Sequence, residues 1–280
     1  MSGNASAIND RAHASGGGAA RASGTHERVG PDGKRASTEL SDKERAIEAV
    51  SREGSFLRGM PEHWQGDKDV VLAAVRHYGK NLFYASKELQ GDKNIVLTAV
   101  KQDGYALECA SEKLRGNKEV VMAAVAQYGK ALEFASKDLK RTEDVVMAAV
   151  KQDGTALHYA SERLQGNLIV VMAAVTQNGN ALESTSEKLR GDKHVVLTAV
   201  TNDGRALEDA SEELQGNEEV VLAAVTNHGY ALYYASEALK NNKEVAMAAV
   251  AQNGHALRYV SEGLRGDEEV AAMAQNGGTV

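Results

Sequence analysis

A 25-residue period, unbroken by insertions from Ser41 onward, is the feature that most constrains this chain. Residues 116–139 read GNKEVVMAAVAQYGKALEFASKDL, and the same phrase with small changes stands 25 residues earlier and 25 residues later. Copies at a fixed spacing indicate structural units that stack, because each unit presents the same surfaces to the next. The period therefore predicts a row of stacked units rather than one globular core.

Two series of glycines mark equivalent positions in the copies. The first series is Gly66, Gly91, Gly116, Gly166, Gly191, Gly216 and Gly266, with Arg141 and Asn241 in the two gaps. The second series is Gly54, Gly79, Gly104, Gly129, Gly154, Gly179, Gly204, Gly229 and Gly254. We expect one helix to end at each second-series glycine, in the left-handed conformation that glycine adopts without a Cβ penalty. A second helix is expected to close at each first-series glycine.

The apolar residues between these glycines predict two short helices in each copy. The first helix follows an N-capping Asp or Asn, such as Asn117. Its apolar stripe is formed by Val120, Val121, Ala124 and Val125. The second helix carries Leu132, Ala135 and Leu139. Helices of about ten residues are marginal alone, so they must bury these stripes against neighbouring copies. The fold class predicted is all-α, an α-solenoid of tandem 25-residue two-helix repeats.

A serine recurs inside the second predicted helix and leaves two interpretations open. It stands at Ser86, Ser111, Ser136, Ser161, Ser186, Ser211, Ser236 and Ser261. On a continuous helix it is a small residue at a tight contact, bonded back to a carbonyl one turn earlier. It can instead cap a new short helix and divide the second element in two. The continuous helix is the favoured interpretation.

The composition along the chain predicts two regions. Residues 1–40 contain ASGGGAARASG and no aromatic residue, so they cannot bury enough apolar surface to offset their ordering entropy. We expect them to form a disordered Gly/Ser/Ala-rich tail. The helical repeat domain is predicted over 41–280, with nine units in 41–265 and a truncated capping unit in 266–280. Atypical end units are expected because they cover the open ends of a stack.

The pattern EVVxAAVxxxGxALxxASxxLxG resembles the repeats catalogued as domain of unknown function 4116. The resemblance covers residues 41–280, and it is specific in its combination of Val-Val, Ala-Val, Gly, Ala-Leu, Ala-Ser and Leu at fixed offsets. It implies repeats that serve interaction, with no established activity, and it transfers no functional residues to this chain.

Aromatic residues at positions that change between copies are the candidate partner-binding residues. The candidates are Tyr78, Phe83, Tyr84, Phe134, Tyr159, Tyr230, Tyr233, Tyr234 and Tyr259. The position of Phe134 points away from the apolar stripe of a continuous second helix. Tyrosine is a frequent anchor in interfaces, so these rings predict a shallow groove for a partner. The ordinary interpretation is that the rings pack between successive second helices.

The charge and the cysteine content narrow the function classes. A formal net charge of −7 disfavours a general nucleic-acid binder. Cys109 is the single cysteine, which fits a reducing compartment, and a cytoplasmic location is expected. No run of residues has the length and apolarity of a membrane span. We find no motif for catalysis, a metal or a cofactor, and we expect a protein that is not an enzyme.

The predicted function is a non-catalytic scaffold that binds a protein or an extended peptide along its surface. An acidic tract that includes Glu183, Glu208 and Asp209 suits a basic peptide, although a solvated charged face is the simpler interpretation. The alternatives are an RNA-binding helical repeat and a purely structural spacer. The sequence names neither the partner nor the oligomeric state.

Overall fold

The computed structural model describes residues 40–52 and 56–276, with the side chain of Phe56 left out. The predicted tail lies outside these residues, except for Leu40. The described residues contain helices and no strand. This arrangement confirms the predicted all-α class.

Each of the nine units in 41–265 contains a long α-helix, a 3₁₀ helix and a short helical element, and the described part of 266–280 adds one more long helix. The long helices are Asp42–Arg52, Lys68–His77, Lys93–Gln102, Lys118–Gln127, Glu143–Gln152, Leu168–Gln177, Lys193–Asn202, Glu218–Asn227, Lys243–Gln252 and Glu268–Asn276. The 3₁₀ helices are Phe56–Gly59, Gly79–Tyr84, Gly104–Cys109, Gly129–Phe134, Gly154–Tyr159, Gly179–Ser184, Gly204–Asp209, Gly229–Tyr234 and Gly254–Tyr259. The short α-helices are Glu62–Gln65, Glu112–Arg115, Glu162–Gln165, Glu187–Arg190, Glu212–Gln215, Glu237–Lys240 and Glu262–Arg265. The 3₁₀ turns Leu89–Gly91 and Leu139–Arg141 replace the short α-helix in two repeats.

The elements form two layers, because long helices contact the long helices of adjacent repeats and 3₁₀ helices contact adjacent 3₁₀ helices. Between the layers runs one continuous apolar core. In one repeat the core residues are Val120, Val121, Ala124, Val125, Ala131 and Leu132, all with zero exposed surface. The predicted α-solenoid is thus confirmed, and its long helices follow the predicted capping and apolar stripe.

The favoured continuous second helix is wrong, because the chain is extended at the recurring serine. Ala110 has φ −71° and ψ 151°, and Ser111 has φ −57° and ψ 152°. The Ser111 amide donates to the carbonyl of Gln90 in the preceding repeat at 2.9 Å, and the Ser136 amide donates to Arg115 in the same way at 2.9 Å. In a continuous helix these amides would bond four residues back. The break therefore hydrogen-bonds each repeat to the one before it.

The second-series glycines also serve a different purpose from the one predicted. None from Gly79 to Gly229 adopts the left-handed conformation. A Cβ on Gly79 would lie 2.5 Å from the carbonyl oxygen of Ala99, and one on Gly129 would lie 2.6 Å from that of Ala149. Glycine is needed here because the long helix of the next repeat approaches its backbone closely.

In six of the long helices, a Gln or Asn side chain at the C-terminal end accepts the N–H of the second-series glycine in the preceding repeat. The backbone N–H of Gly129 donates to Gln152 Oε1 at 2.5 Å, and Gln152 Nε2 donates weakly to the carbonyl of Gln127 at 3.4 Å. Asn202 makes the equivalent bond to the N–H of Gly179 at 2.9 Å. Since buried polar groups need partners, these amide side chains hold successive repeats in register.

Candidate partner-binding face

Four positions in each repeat change from copy to copy and lie beside one another on the 3₁₀ layer. They are the positions of Tyr78, Lys80, Phe83 and Tyr84, and we call their combined surface the variable face. The position of Phe83 reads Phe83, Glu108, Glu133, His158, Glu183, Glu208, Tyr233 and Arg258 along the chain. Contacts between neighbouring repeats, such as Lys80 Nζ at 4.5 Å from the Tyr105 ring centroid, make the variable face one continuous surface.

The rings at the Tyr84 position rest on the core. Tyr84, Phe134, Tyr159, Tyr234 and Tyr259 are half-buried and pack against core residues, as does Tyr230. The 3₁₀ geometry explains this, because residues three apart lie on the same side of such a helix. Phe134 consequently stands over the buried Ala131.

The most exposed predicted residues stand one position earlier or at the end of a long helix. Phe83 is 65% exposed, Tyr233 is 57% exposed and Tyr78 is 44% exposed. Four other repeats carry glutamate at the position of Phe83 and Tyr233. An aromatic ring is therefore not required there by the fold, and Phe83 and Tyr233 are more exposed than Tyr78 on the same face.

The C-terminal part of the variable face holds a cluster of tyrosines. The ring centroids of Tyr233 and Tyr234 lie 5.0 Å apart, those of Tyr233 and Tyr259 lie 5.3 Å apart, and those of Tyr230 and Tyr259 lie 6.0 Å apart. The guanidinium carbon of Arg258 lies 5.8 Å from the centroids of both Tyr230 and Tyr259. Three predicted residues from one repeat and one from the next are thus brought together.

A second cluster lies toward the N-terminus and includes Tyr105 and Tyr128, which are not among the predicted partner-binding residues. Tyr105 lies 5.1 Å from Phe134 and 6.1 Å from Tyr128, measured between ring centroids. Tyr78, Tyr105 and Tyr128 line a surface groove of about 540 Å³ together with Lys80 and Asp103. Only the contacts between repeats reveal this cluster, since its members are 23 and 29 residues apart.

Three repeats lack a capping hydrogen bond that others make at the position of Tyr78. Asp103 Oδ1 accepts the N–H of Tyr105 at 2.9 Å, and Asp153 Oδ1 accepts that of Thr155 at 3.0 Å. Asn178, Asp203 and Asn253 form the same cap. Tyr78, Tyr128 and His228 form no such bond. A cap of this kind contributes about 1 kcal/mol. A repeat with an aromatic ring at this position therefore lacks that stabilisation.

The middle of the variable face is acidic. Burial, together with the nearby Glu183 and Glu208 carboxylates, raises the pKa of Asp209 to about 6. A hydrogen bond to Glu208 raises the pKa of Tyr234 as well. Asp209 occupies a position that Tyr or Phe fills in five other repeats. Between the two aromatic clusters, the Asp209 carboxyl is therefore partly buried, and it lies close to the Glu183 and Glu208 carboxylates.

Cys109 occupies the same half-buried position as Tyr84. Burial raises the pKa of its thiol to about 11. A thiol with such a pKa is protonated at neutral pH and is a poor nucleophile.

The described residues also show no group of three or more His, Cys, Asp and Glu side chains placed to hold a metal ion. No helix in 40–52 or 56–276 has the length and apolarity to cross a membrane.

A family profile described as "Domain of unknown function (DUF4116)" matches residues 42–90, 92–140, 142–190, 167–215, 192–240 and 217–265. The chain belongs to this family. Several DUF4116 matches overlap by half their length, so the profile fits this chain in two phases that differ by one 25-residue repeat. The structural unit of these DUF4116 repeats is accordingly the single 25-residue copy. No curated protein and no solved structure matches the chain.

Proposed function

We propose that the protein is a non-catalytic scaffold that binds a protein partner or an extended peptide along the variable face. The two aromatic clusters anchor apolar side chains of the partner, and the acidic middle favours a basic stretch between them. The observation that carries the proposal is the exposure of Phe83 and Tyr233, 65% and 57%, at a position where the fold accepts glutamate.

Two further features support a binding role for this face. Its residues differ between repeats, whereas the core and the contacts between repeats are nearly uniform, so the face can distinguish one partner from another. Tyr78, Tyr128 and His228 also belong to this face, and each lacks the capping hydrogen bond that would stabilise its 3₁₀ helix. Departures from locally favoured residues are typical of functional positions.

The direct test places a photo-crosslinking residue on the variable face. The chain carries p-benzoylphenylalanine in place of Phe83 or Tyr233, and in a control in place of Asn94, which is exposed in the first turn of a long helix. Irradiation in extracts of the source cells should link the same partner to both variable-face positions and not to the control. Equal labelling from all three positions would contradict the proposal.

A substitution test uses residues that the repeats already tolerate. Phe83→Glu with Tyr233→Glu should leave unfolding unchanged and weaken binding of the crosslinked partner by tenfold or more, as expected when interface anchors are lost. The matched control is Ile169→Glu, because Ile169 is 68% exposed and other repeats carry Glu119 or Glu219 there. Binding that survives the double substitution, or that falls equally in the control, would contradict anchoring by Phe83 and Tyr233.

A further inference from the structure

One inter-repeat cleft differs from its equivalents by its concentration of positive charge. It has a volume of about 500 Å³ and lies where the repeat ending at Lys140 meets the next one. The cationic side chains that line it are Lys137, Lys140, Arg141 and Arg163. Glu162 is the one carboxylate among the lining residues, so the lining carries an excess of positive charge in an acidic protein.

The four cations lack carboxylate partners among the residues that the structure describes. The ion pairs of this part of the molecule join Lys118 with Asp144 and Lys130 with Asp153 instead. Arg163 Nη2 donates to the carbonyl of Arg141 at 2.9 Å, and its other N–H groups remain available for a ligand. Burial lowers the pKa of Lys140, and the charge of the nearby Glu133 carboxylate opposes this shift.

A buried hydroxyl in the same cleft also lacks a partner. Ser161 lines the cleft, and its Oγ is buried without a hydrogen bond to any residue in 40–52 or 56–276. The equivalent Ser136 and Ser211 hydroxyls accept the N–H groups of Leu139 and Leu214, each at 3.4 Å, whereas the Ser111 and Ser186 hydroxyls, like that of Ser161, accept no N–H group of their short helix. Buried polar atoms are nearly always hydrogen-bonded, and one that is not requires an explanation.

One of these cations departs from the repeat pattern, since Arg141 stands where seven other repeats have the first-series glycine. The position of Lys140 holds Arg or Lys in four other repeats and Gln in four, among them Gln90, Gln165 and Gln215. A Cβ at the equivalent Gly116 would meet only ordinary contacts of 3.5 Å or more. The fold therefore accepts either residue at this position and does not demand the arginine.

We propose that this cleft is an anion-binding site that takes a phosphate group, either free or carried as a monoester. Two guanidinium groups and two ammonium groups supply donors for charge-assisted hydrogen bonds to phosphate oxygens. The cleft is much larger than a single phosphate group, so it has room for the side chain or small molecule that carries the phosphate. The cleft adjoins the variable face through Tyr159, but the proposal does not depend on the proposed scaffold function, since the four basic side chains lie outside that face.

The test measures binding of inorganic phosphate to the full chain by amide NMR shifts, with a phosphoserine peptide and its unphosphorylated form as further probes. We expect saturable shifts at Ser161 and its neighbours with a dissociation constant on the order of 1 mM for inorganic phosphate. Added salt should weaken binding, because the cleft is open to screening. Tighter binding of the phosphopeptide identifies a peptide-borne phosphate as the ligand, and equal binding identifies the free ion.

The decisive variant combines Lys140→Gln with Arg141→Gly, which restores residues found in neighbouring repeats. It should weaken phosphate binding at least tenfold while the melting temperature without phosphate stays unchanged. The matched control, Lys240→Gln with Asn241→Gly, changes the equivalent positions four repeats later and should bind phosphate normally. Tyr233→Glu should also bind normally, which separates this site from the tyrosine cluster in the C-terminal part of the variable face. No saturable binding, or equal binding to both paired variants, would overturn the proposal.

Discussion

Gln152→Ala removes one of the amide side chains that hold successive repeats in register. The substitution leaves the buried N–H of Gly129 without its 2.5 Å acceptor and deletes the weak 3.4 Å bond to Gln127. An unsatisfied buried backbone group costs about 1–3 kcal/mol. Alanine returns a few tenths of a kcal/mol through its helix propensity, so the net loss is about 1–2 kcal/mol. For a helical region of this size that corresponds to a fall in Tm of roughly 2–8 °C.

Thermal and urea unfolding followed by circular dichroism measure this loss. The conservative control is Gln152→Asn, because Asn202 and Asn227 make the equivalent bonds at 2.9 and 2.8 Å. It should retain most of the stability. A second control, Lys151→Ala, changes an exposed neighbour and should have little effect. If Gln152→Ala unfolds at the wild-type temperature, the amide contacts do not stabilise the stack and our account of repeat coupling is refuted.

Three other substitutions test separate parts of the structure. Gly129→Ala should destabilise the protein by about 2 kcal/mol or more, because its Cβ would overlap the carbonyl of the next repeat, and urea unfolding would show it. Asp209 has a folded-state pKa of about 6, above its ordinary value, so the stability of the wild-type protein should fall as pH rises from about 4 through 6. Asp209→Asn should remove this fall and stabilise the protein at pH 8. The gain should be only about 1 kcal/mol, because solvent screens a half-exposed carboxylate. A pH profile that is the same for both chains would exclude this cause. Tyr78→Asp should raise stability by about 0.5–1 kcal/mol through a restored cap and weaken partner binding; lower stability would show that the ring packs structurally.

The long helices could be predicted because their signals are local. Asn117 caps one of them, and its apolar stripe has the helical spacing from Val120 to Val125. The same pattern does not decide between a continuous second helix and a break at the serine. The Ser111 amide bonds to Gln90 in the preceding repeat, and that contact replaces a bond within one helix. A contact between units thus decides the conformation within each unit.

The sequence indicated only some residues of the variable face, because the contacts that bring the others together join different repeats. Phe83 and Tyr233 are exposed where a partner could reach them, and both belonged to the predicted set. Tyr105 escaped selection because its contacts with Tyr128 and Phe134 join different repeats. The outward direction assigned to Phe134 rested on a continuous α-helix, and the 3₁₀ turn brings that ring back onto the core.

Stability measured against the number of repeats tests the central claim that each unit depends on its neighbours. Peptides and truncated chains of one, two, four and eight 25-residue units, all ending at residue 265, would be unfolded in urea. The account predicts no stable helix for one unit, and a midpoint that rises with each added interface as in a nearest-neighbour stack. A single unit that folds alone, or a midpoint that does not change with length, would contradict it.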